Sequence, residues 1–347
     1  MFLSNRVCCV SDIHIGVHQN GSMWHNVTLN WARWLAKDLK EKKVKDIMIC
    51  GDLFHYRDEI AVNTIQIAQE FLNILSDFNI VILSGNHDAY YKDNSNITSL
   101  SILKGWPNIN VYDRLHTFKQ YNKTMMICPW GADKEQFSKC DIMFGHFEIS
   151  SFKMNHFKTC TSGVSYNELL KKSPLVITGH FHHGERRKYK SGEIVYLGNP
   201  FEMDFGDINC NKGYYILDVK TSQMDFYKNN ISPKHVKIKL SELAEEKNIT
   251  NRYKKIINKN IVRVYIDMHI MPDDVELVLR SISKNQPEHL GVEYSINYND
   301  FGLDSSDDHD LSGVDIMTAM KEFVDMLDIE NKSDVFNYVN QVYKSVK

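Results

Sequence analysis

The stretch DIMICGDLFH, Asp46 to His55, joins an apolar run to a cluster of side chains that can bind metal. The run Ile47–Cys50 has the length and aliphatic content of a buried strand, and Gly51 allows a sharp turn where the strand ends. Four other apolar runs end in the same way, which gives five clusters: Ser11–His14, Gly51–His55, Gly85–Asp88, Gly145–Glu148 and Gly179–His183. One such cluster is usually a turn, but five after successive strands indicate a shared site.

These clusters are expected to converge, because ligands of an open α/β sheet bind at the carboxyl ends of its strands. Asp12 and His14 lie two residues apart, so both face one side of an extended chain and can bind one ion; the same holds for His180 and His182. The clusters offer seven candidate ligands: Asp12, His14, Asp52, Asn86, His146, His180 and His182. This number predicts two cations about 3.5–4 Å apart, bridged by Asp52, as in sites that hydrolyse phosphate esters.

The remainder of the first 230 residues predicts an α/β fold, because short apolar runs alternate with amphipathic segments. Helical spacing predicts helices over residues 24–42 and 60–75, and turn residues near Gly192 predict hairpins and a mixed sheet. The predicted strands are Val7–Val10, Ile47–Cys50, Ile80–Leu83, Met125–Cys128, Ile142–Phe144, Leu175–Ile177, Ile194–Leu197 and Tyr214–Val219.

The chain changes character after residue 230. Residues 231–300 predict a small αβ domain with strands Ile261–Asp267 and Val292–Tyr298 around a helix entered at Pro272. Residues 301–312 are strongly acidic and predict a linker. Residues 313–347 predict two amphipathic helices, the second capped by Ser333, and the apolar stripe Met320, Phe323 and Leu327 of the first could pack on its neighbour or dock on a partner.

Composition narrows the class of protein. The 347 residues carry a net charge of −3, so no global basic field attracts nucleic acid, and any contact with it must be local or metal-assisted. Two local basic stretches, residues 185–190 and 252–255, could contact phosphates or could be solvated surface.

The seven cysteines have no C-x-x-C spacing, and the absence of a signal peptide or a long apolar run predicts a cytoplasmic protein. Imidazole, carboxylate and amide ligands favour manganese or iron over structural zinc.

In these motifs the chain resembles the calcineurin-like metallophosphoesterase superfamily, whose pattern D-x-H, G-D, G-N-H-D/E, G-H, G-H-x-H occurs here in order between residue 6 and about 200. Within it, Gly51–His55, Gly85–Asp88 and Tyr196–Pro200 are similar to the SbcD-type nuclease subunits. The compact size, the Pro129-Trp130 pair and the acidic linker resemble the phage-encoded members of that group, the recombination endonuclease subunits of T4-like viruses.

The resemblance implies a four-layer αββα sandwich, a capping domain that contacts DNA, and C-terminal helices. It implies one manganese ion at Asp12, His14, Asp52 and His182 and a second at Asp52, Asn86, His146 and His180, with Mg²⁺ or Fe²⁺ as other candidates. His87 would be the catalytic histidine at the scissile phosphate, with Asp88 holding its ring and His55 nearby. His183, which departs from the family pattern, is left out of the ligand set.

The resemblance also implies a function and partners. The activity would be double-strand exonuclease and single-strand endonuclease cleavage of DNA in recombination, repair and recombination-dependent replication. The partners would be DNA, a second copy of the chain and a coiled-coil SMC-like ATPase, in the cytoplasm of a phage host. Two alternatives remain open at this point: a phosphoesterase acting on a small phosphodiester or phosphomonoester, since the metal centre alone does not specify the substrate, and a non-catalytic scaffold.

Overall fold

The computed structural model describes residues 1–155, 158–245, 251–268, 272–294, 321, 324 and 331–346. The strands are β1 Arg6–Val10, β2 Asp46–Ile49, β3 Asn79–Leu83, β4 Ile109–Tyr112, β5 His116–Gln120, β6 Lys123–Cys128, β7 Ile142–His146, β8 Leu175–Gly179, β9 Glu185–Tyr189, β10 Gly192–Tyr196, β11 Gly213–Asp218, β12 Gln223–Lys228, β13 His235–Lys239, β14 Ile261–Ile266 and β15 His289–Tyr294. The helices are α1 Ser22–Glu41, α2 Val62–Ile74, α3 Tyr166–Lys172, α4 Leu240–Glu245, α5 Asn251–Ile257, α6 Pro272–Ser283 and α7 Lys332–Val346. Short turns of helix occur at Val17–Asn20, Ser99–Leu103, Lys134–Gln136 and Phe205–Asp207.

The first sheet has six strands in the order β12-β11-β1-β2-β3-β4. Strands β1 to β4 are mutually parallel, and α1 and α2 make the crossovers from β1 to β2 and from β2 to β3. Strands β11 and β12 add an antiparallel edge. The parallel start that the sequence predicts is therefore confirmed, and it brings the carboxyl ends of β1, β2 and β3 to one edge.

The second sheet has six strands in the order β5-β6-β7-β8-β10-β9. Strands β6, β7, β8 and β10 are parallel, while β5 and β9 pair antiparallel at the two edges. Strands β9 and β10 form the hairpin predicted around Gly192, which pairs with Tyr189.

The two six-stranded sheets and the helices that cover them form four layers, and three apolar clusters fill the spaces between these layers. Alternate residues of β1 face opposite ways, so that Cys8 packs with the helices α1 and α2 while Cys9 packs between the sheets. On β7, Phe144 faces the first sheet and Met143 faces Leu169 of α3. The resulting order, helices, sheet, sheet and helix, confirms the predicted αββα sandwich.

Strands β13, β14 and β15 form a third sheet in that order, with all strands parallel. Its own apolar cluster includes Ile238, Val264 and Ile282. This sheet and the sandwich belong to one compact unit, Met1–Tyr294, and Ser295–Lys347 forms a second unit. The predicted boundary at residue 230 stays a prediction.

The C-terminal predictions are only partly within the described residues. Helix α7 corresponds to the second predicted helix and begins at Lys332, one residue before the predicted cap, Ser333; the backbone carbonyl of Asn331 accepts from the N–H groups of Asp334 and Val335. The linker at 301–312 and the stripe Met320, Phe323 and Leu327 lie outside the described residues. Among the described helices, none has the length and apolar content needed to cross a membrane.

Candidate metal centre

The loops after β1 and β2 run side by side and carry the first ligand candidates. The N–H of Asp12 donates to the carbonyl of Gly51 at 3.1 Å, and the N–H of His14 donates to the carbonyl of Asp52 at 3.0 Å. The two loops thus continue the pairing of their strands beyond the sheet, which holds the three side chains at one edge.

Four candidate ligands lie in the left-handed region of backbone conformation. The φ angles are 55° at Asp12, 51° at His14, 55° at Asp52 and 95° at His180. Residues other than glycine adopt such angles at a cost and keep them where the surroundings enforce them, commonly at functional sites. The strain indicates that the fold gives up local stability to aim these side chains at one point.

Glycines allow the strand ends to approach closely. A Cβ at Gly85 would lie 2.1 Å from Oδ1 of Asp52, and a Cβ at Gly179 would lie 1.9 Å from Oγ of Ser11. No side chain fits either position, so the glycines of two predicted clusters are explained by the contact between neighbouring loops.

One group of donor atoms comprises Asp12, His14 and His182, whose ligand atoms lie within 4.8 Å of one another. The Nε2 atoms of His14 and His182 face each other at 2.9 Å. The carboxylate of Asp12 is oriented by the backbone N–H of His180, at 3.1 Å from Oδ1. This group contains three of the four ligands predicted for the first ion.

A second group comprises Asp52, His146 and His180. Nε2 of His146 lies 3.3 Å from Oδ2 of Asp52 and 2.8 Å from Oδ1 of Asn86. The same Asn86 oxygen lies 2.7 Å from Nδ1 of His180. All four ligands predicted for the second ion therefore converge.

Asp52 lies between the two groups. Its Oδ2 is 3.3 Å from Nε2 of His146 in the second group and 3.7 Å from Nε2 of His14 in the first. The backbone N–H of His87 donates to its other oxygen at 2.8 Å. This geometry suits the bridging position predicted for Asp52.

Electrostatics in the centre follow from burial and from the close carboxylates. Burial raises the pKa of Asp12; burial would also raise that of Asp52, but His146 and His14 hold it well below its usual range. Burial lowers the pKa of His14, and lowers that of His180 to about 3. Burial would lower the pKa of His146, but Asp52 raises it to about 9. The centre therefore favours a positive charge beside Asp52, which either a proton or a cation can supply.

The residues fit a pair of divalent cations. Nδ1 of His146 donates to the carbonyl of Cys50 at 2.7 Å, which directs the lone pair of Nε2 toward Asp52, as expected of a metal-ligating histidine. The donor atoms are imidazole nitrogens and carboxylate or amide oxygens, without sulfur. Such a set suits manganese, iron or zinc in an open site.

His87 and His55 lie beside the first donor group. Nδ1 of His87 donates to the carbonyl of His55 at 2.6 Å, and the two rings stack with centroids 5.4 Å apart. The His87 ring is half-buried, and its edge meets His14 at 4.8 Å between centroids. Burial and the neighbouring His87 lower the pKa of His55 to about 4. His14, His55 and His87 form a further group of nitrogen donors, whose ligand atoms lie within 4.8 Å of one another.

Asp88 does not hold the His87 ring, and the prediction of that role is wrong. Its carboxylate accepts from the backbone N–H groups of Asp52 at 2.8 Å, Gly85 at 2.9 Å and Phe54 at 3.1 Å. Burial and the charge on Asp52 raise its pKa to about 7 despite these bonds. Asp88 therefore ties the loops after β2 and β3 together, and the His55 carbonyl orients the ring.

Two neighbours of the centre carry no role in the sequence prediction. Trp130, which marks the resemblance, packs its ring 5.0 Å from that of His180. Lys212 donates to the backbone carbonyl of His182 at 2.9 Å. Neither belongs to a metal-ligand motif, so spacing could not single them out. His183, set aside in the sequence prediction, instead contacts Sγ of Cys210.

The arginines of the stretch 185–190 are paired within the fold. Arg186 forms a two-pronged contact with Glu193, and Arg187 pairs with Glu185 and covers the ring of Phe152. These pairs reduce their value as phosphate contacts. In the other stretch Lys254 and Lys255 are exposed, and the side chain of Arg252 is outside the described residues.

An open cleft of about 630 Å³ borders His180 and His182. Its walls include Phe205 from the sandwich and Arg263 from the third sheet, and the guanidinium of Arg263 lies 4.0 Å from the Phe205 ring centroid. The sandwich and the third sheet therefore both line the cleft beside the centre.

Known proteins are similar to this chain. Exonuclease subunit 1 of Enterobacteria phage T4 is 23% identical, over 97% of this chain and 98% of that protein. The SbcD subunit of nuclease SbcCD from Staphylococcus epidermidis is 24% identical, over 63% of this chain and 67% of that protein. Among solved structures, an archaeal phosphodiesterase is 14% identical, covering 65% of this chain and 99% of its own, with a TM-score of 0.37. A dimetal phosphatase from Danio rerio is 11% identical, covering 63% and 94%, with a TM-score of 0.42.

Residues 5–207 match the calcineurin-like phosphoesterase family, and this range includes every predicted ligand and His87. The range is also the part of the chain in which the two donor groups meet at one edge of the sandwich. The chain belongs to the calcineurin-like phosphoesterase family and is a phosphoesterase enzyme.

Proposed function

We propose that this chain is the nuclease component of a DNA-processing complex and hydrolyses DNA phosphodiesters with two Mn²⁺ ions. The observation that carries the proposal is the pair of donor groups around Asp52 in a chain that is similar over 97% of its length to an exonuclease subunit. Double-strand exonuclease and single-strand endonuclease activities would serve recombination, repair and recombination-dependent replication.

The paired cations, when bound, supply water activation and neutralise charge on the phosphate. Asp12, His14, Asp52 and His182 would hold one, and Asp52, Asn86, His146 and His180 the other. His87 would contact the scissile phosphate through Nε2 and assist the leaving oxygen. The His55 carbonyl fixes the ring for this role, since it accepts from Nδ1 at 2.6 Å.

The cleft beside the centre supports a polymeric substrate. Arg263 lies at its wall, but its guanidinium pairs with Glu293 at 2.7 Å, and the whole chain has a net charge of −3. The metals would therefore have to offset most of the missing global basic field, because binding of DNA depends on neutralised phosphates.

A comparison of substrates tests the proposal. We expect purified protein with Mn²⁺ to shorten end-labelled linear duplex DNA and to nick circular single-stranded DNA. The value of kcat/KM for DNA should exceed that for bis(4-nitrophenyl) phosphate by at least about 100-fold, because contacts remote from the scissile bond bind only the polymer. A protein that turns over the small diester and leaves both DNAs intact would instead be a small-molecule phosphoesterase.

We further propose that the chain works with a coiled-coil SMC-like ATPase, as a homodimer within a heterotetramer. Both relatives are themselves subunits of nucleases, which supports an assembly. The free cysteines, of which six are buried, suit a reducing compartment such as the cytoplasm of a host cell.

Deletion of residues 305–347 should abolish co-purification with the ATPase, because the stripe Met320, Phe323 and Leu327 is proposed to dock on the root of its coiled coil. The truncated chain should still bind Mn²⁺, since every candidate ligand lies before residue 200. A truncated chain that still co-purifies with the ATPase would refute the docking role.

A further inference from the structure

Lys212 is a buried lysine that contacts the candidate metal centre by a hydrogen bond to the main chain of His182. It is 5% exposed, and its Nζ donates to the carbonyl of His182 at 2.9 Å, to Oδ1 of Asp207 at 2.6 Å and to Oδ1 of Asn199. An ammonium group has three N–H donors, so all of them are used. Lys212, Asp207 and Asn199 belong to neither candidate ligand set.

The partners of Lys212 form a closed network. Oδ2 of Asp207 accepts from Nδ2 of Asn199 and from the backbone N–H of Met203, both at 2.9 Å. Burial would raise the pKa of Asp207, but Lys212 holds it below its usual range. The pair of charges is therefore internally neutralised, and the ammonium adds little repulsion for a cation bound nearby.

The His182 main chain is enclosed on a second side. A Cβ at Gly198, whose φ is 70°, would lie 2.9 Å from the His182 carbonyl oxygen. The segment can thus approach closely only because position 198 is glycine. Lys212 donates to the same oxygen, so the peptide at His182 has little freedom to rotate.

We propose that Lys212 is a positioning residue that fixes the main chain of His182 and thereby sets the affinity of the first cation site, proposed at Asp12, His14, Asp52 and His182. Ligand distances in metal sites hold within about 0.2 Å, so small rotations of one ligand's backbone weaken binding. The second site draws no ligand from the His182 peptide. The effect is therefore selective for one ion of the pair. This inference rests on the two-cation centre of the proposed function.

Calorimetric titration of the full-length chain with Mn²⁺ tests the inference. The wild type should bind two ions, and Lys212→Met should weaken one of the two binding events by about 10–100-fold, as loss of an outer partner of a ligand does, with the other unchanged. Electron paramagnetic resonance should show isolated Mn²⁺ in the variant at concentrations that give a coupled pair in the wild type. Lys228→Met is the matched control, because Lys228 is exposed and pairs with Gly213, the neighbour of Lys212.

The double variant Lys212→Met/Asp207→Asn distinguishes a selective loss of metal binding from unfolding of the protein. Lys212→Met alone leaves a buried unpaired carboxylate, whereas the double variant removes the charge pair together and should unfold closer to the wild-type temperature. It should show the same selective loss of one ion. Unchanged binding of both ions in the variants, or equal weakening of both in a folded double variant, would overturn the inference alone. A wild-type chain that binds fewer than two ions would overturn the two-cation centre itself.

Discussion

Replacement of Asp52 by alanine is expected to abolish binding of both Mn²⁺ ions and to lower the rate of DNA cleavage by at least about 1000-fold, since bound cations supply several kcal/mol of transition-state stabilisation. Asp52 is the carboxylate between the two donor groups, 3.3 Å from His146 and 3.7 Å from His14. Its removal deprives each ion of one ligand. It also removes the negative charge that favours a cation beside His146.

The measurement is metal content after dialysis, together with the initial rate on linear duplex DNA. Asp58→Ala is the matched control, because Asp58 is an exposed aspartate in the loop that follows the same strand. The control should retain both ions and the wild-type rate. Two ions retained by Asp52→Ala would contradict the bridging assignment. Melting temperatures of both variants separate loss of metal from loss of fold.

Replacement of His87 by asparagine is expected to preserve metal binding and to slow cleavage by about 10²–10⁴-fold, the range for loss of a positioned proton-transfer group. His87 is grouped with His14 and His55 and lies outside the two donor groups that contain Asp12 and Asp52. Asparagine keeps the backbone N–H that donates to Asp52 but loses the imidazole Nε2 proposed to meet the phosphate.

Rates under saturating Mn²⁺ and the stoichiometry of bound Mn²⁺ are the two readouts. His116→Asn, at an exposed histidine of β5, is the control and should behave as the wild type. An unchanged rate of cleavage in His87→Asn would contradict the proposed catalytic role of His87. Loss of an ion from this variant would instead make His87 a ligand, with His14 and His55 as its neighbours.

The sequence predicted the central strands and missed strands at the edges. The predicted strands of the sandwich all lie inside its two sheets, where a neighbouring strand pairs on each side. The missed strands are all at sheet edges: β4, β5, β9, β12 and β13. Edge strands carry polar and charged residues, as in Glu185–Tyr189, so hydrophobic patterning does not reveal them.

The convergence of the candidate ligands could be predicted because each lies at or just after the end of a strand, and parallel strands of one sheet end at the same edge. The contacts of Asp88 and Lys212 could not be predicted, because both side chains bind backbone groups that are far away in sequence. Asp88 accepts from the N–H of Asp52, 36 residues away, and Lys212 donates to the carbonyl of His182, 30 residues away. Such contacts depend on how loops pack, which spacing within a motif does not specify.

The most direct test of the account measures DNA cleavage and bound manganese on the same wild-type sample. Metal-stripped protein is titrated with Mn²⁺, and the number of ions bound per chain is followed with the rate of cleavage of linear duplex DNA. The account predicts two ions per chain, cleavage that rises as the second ion binds, and no cleavage in excess EDTA. Cleavage that persists in EDTA, or two bound ions without any cleavage of DNA, would contradict it.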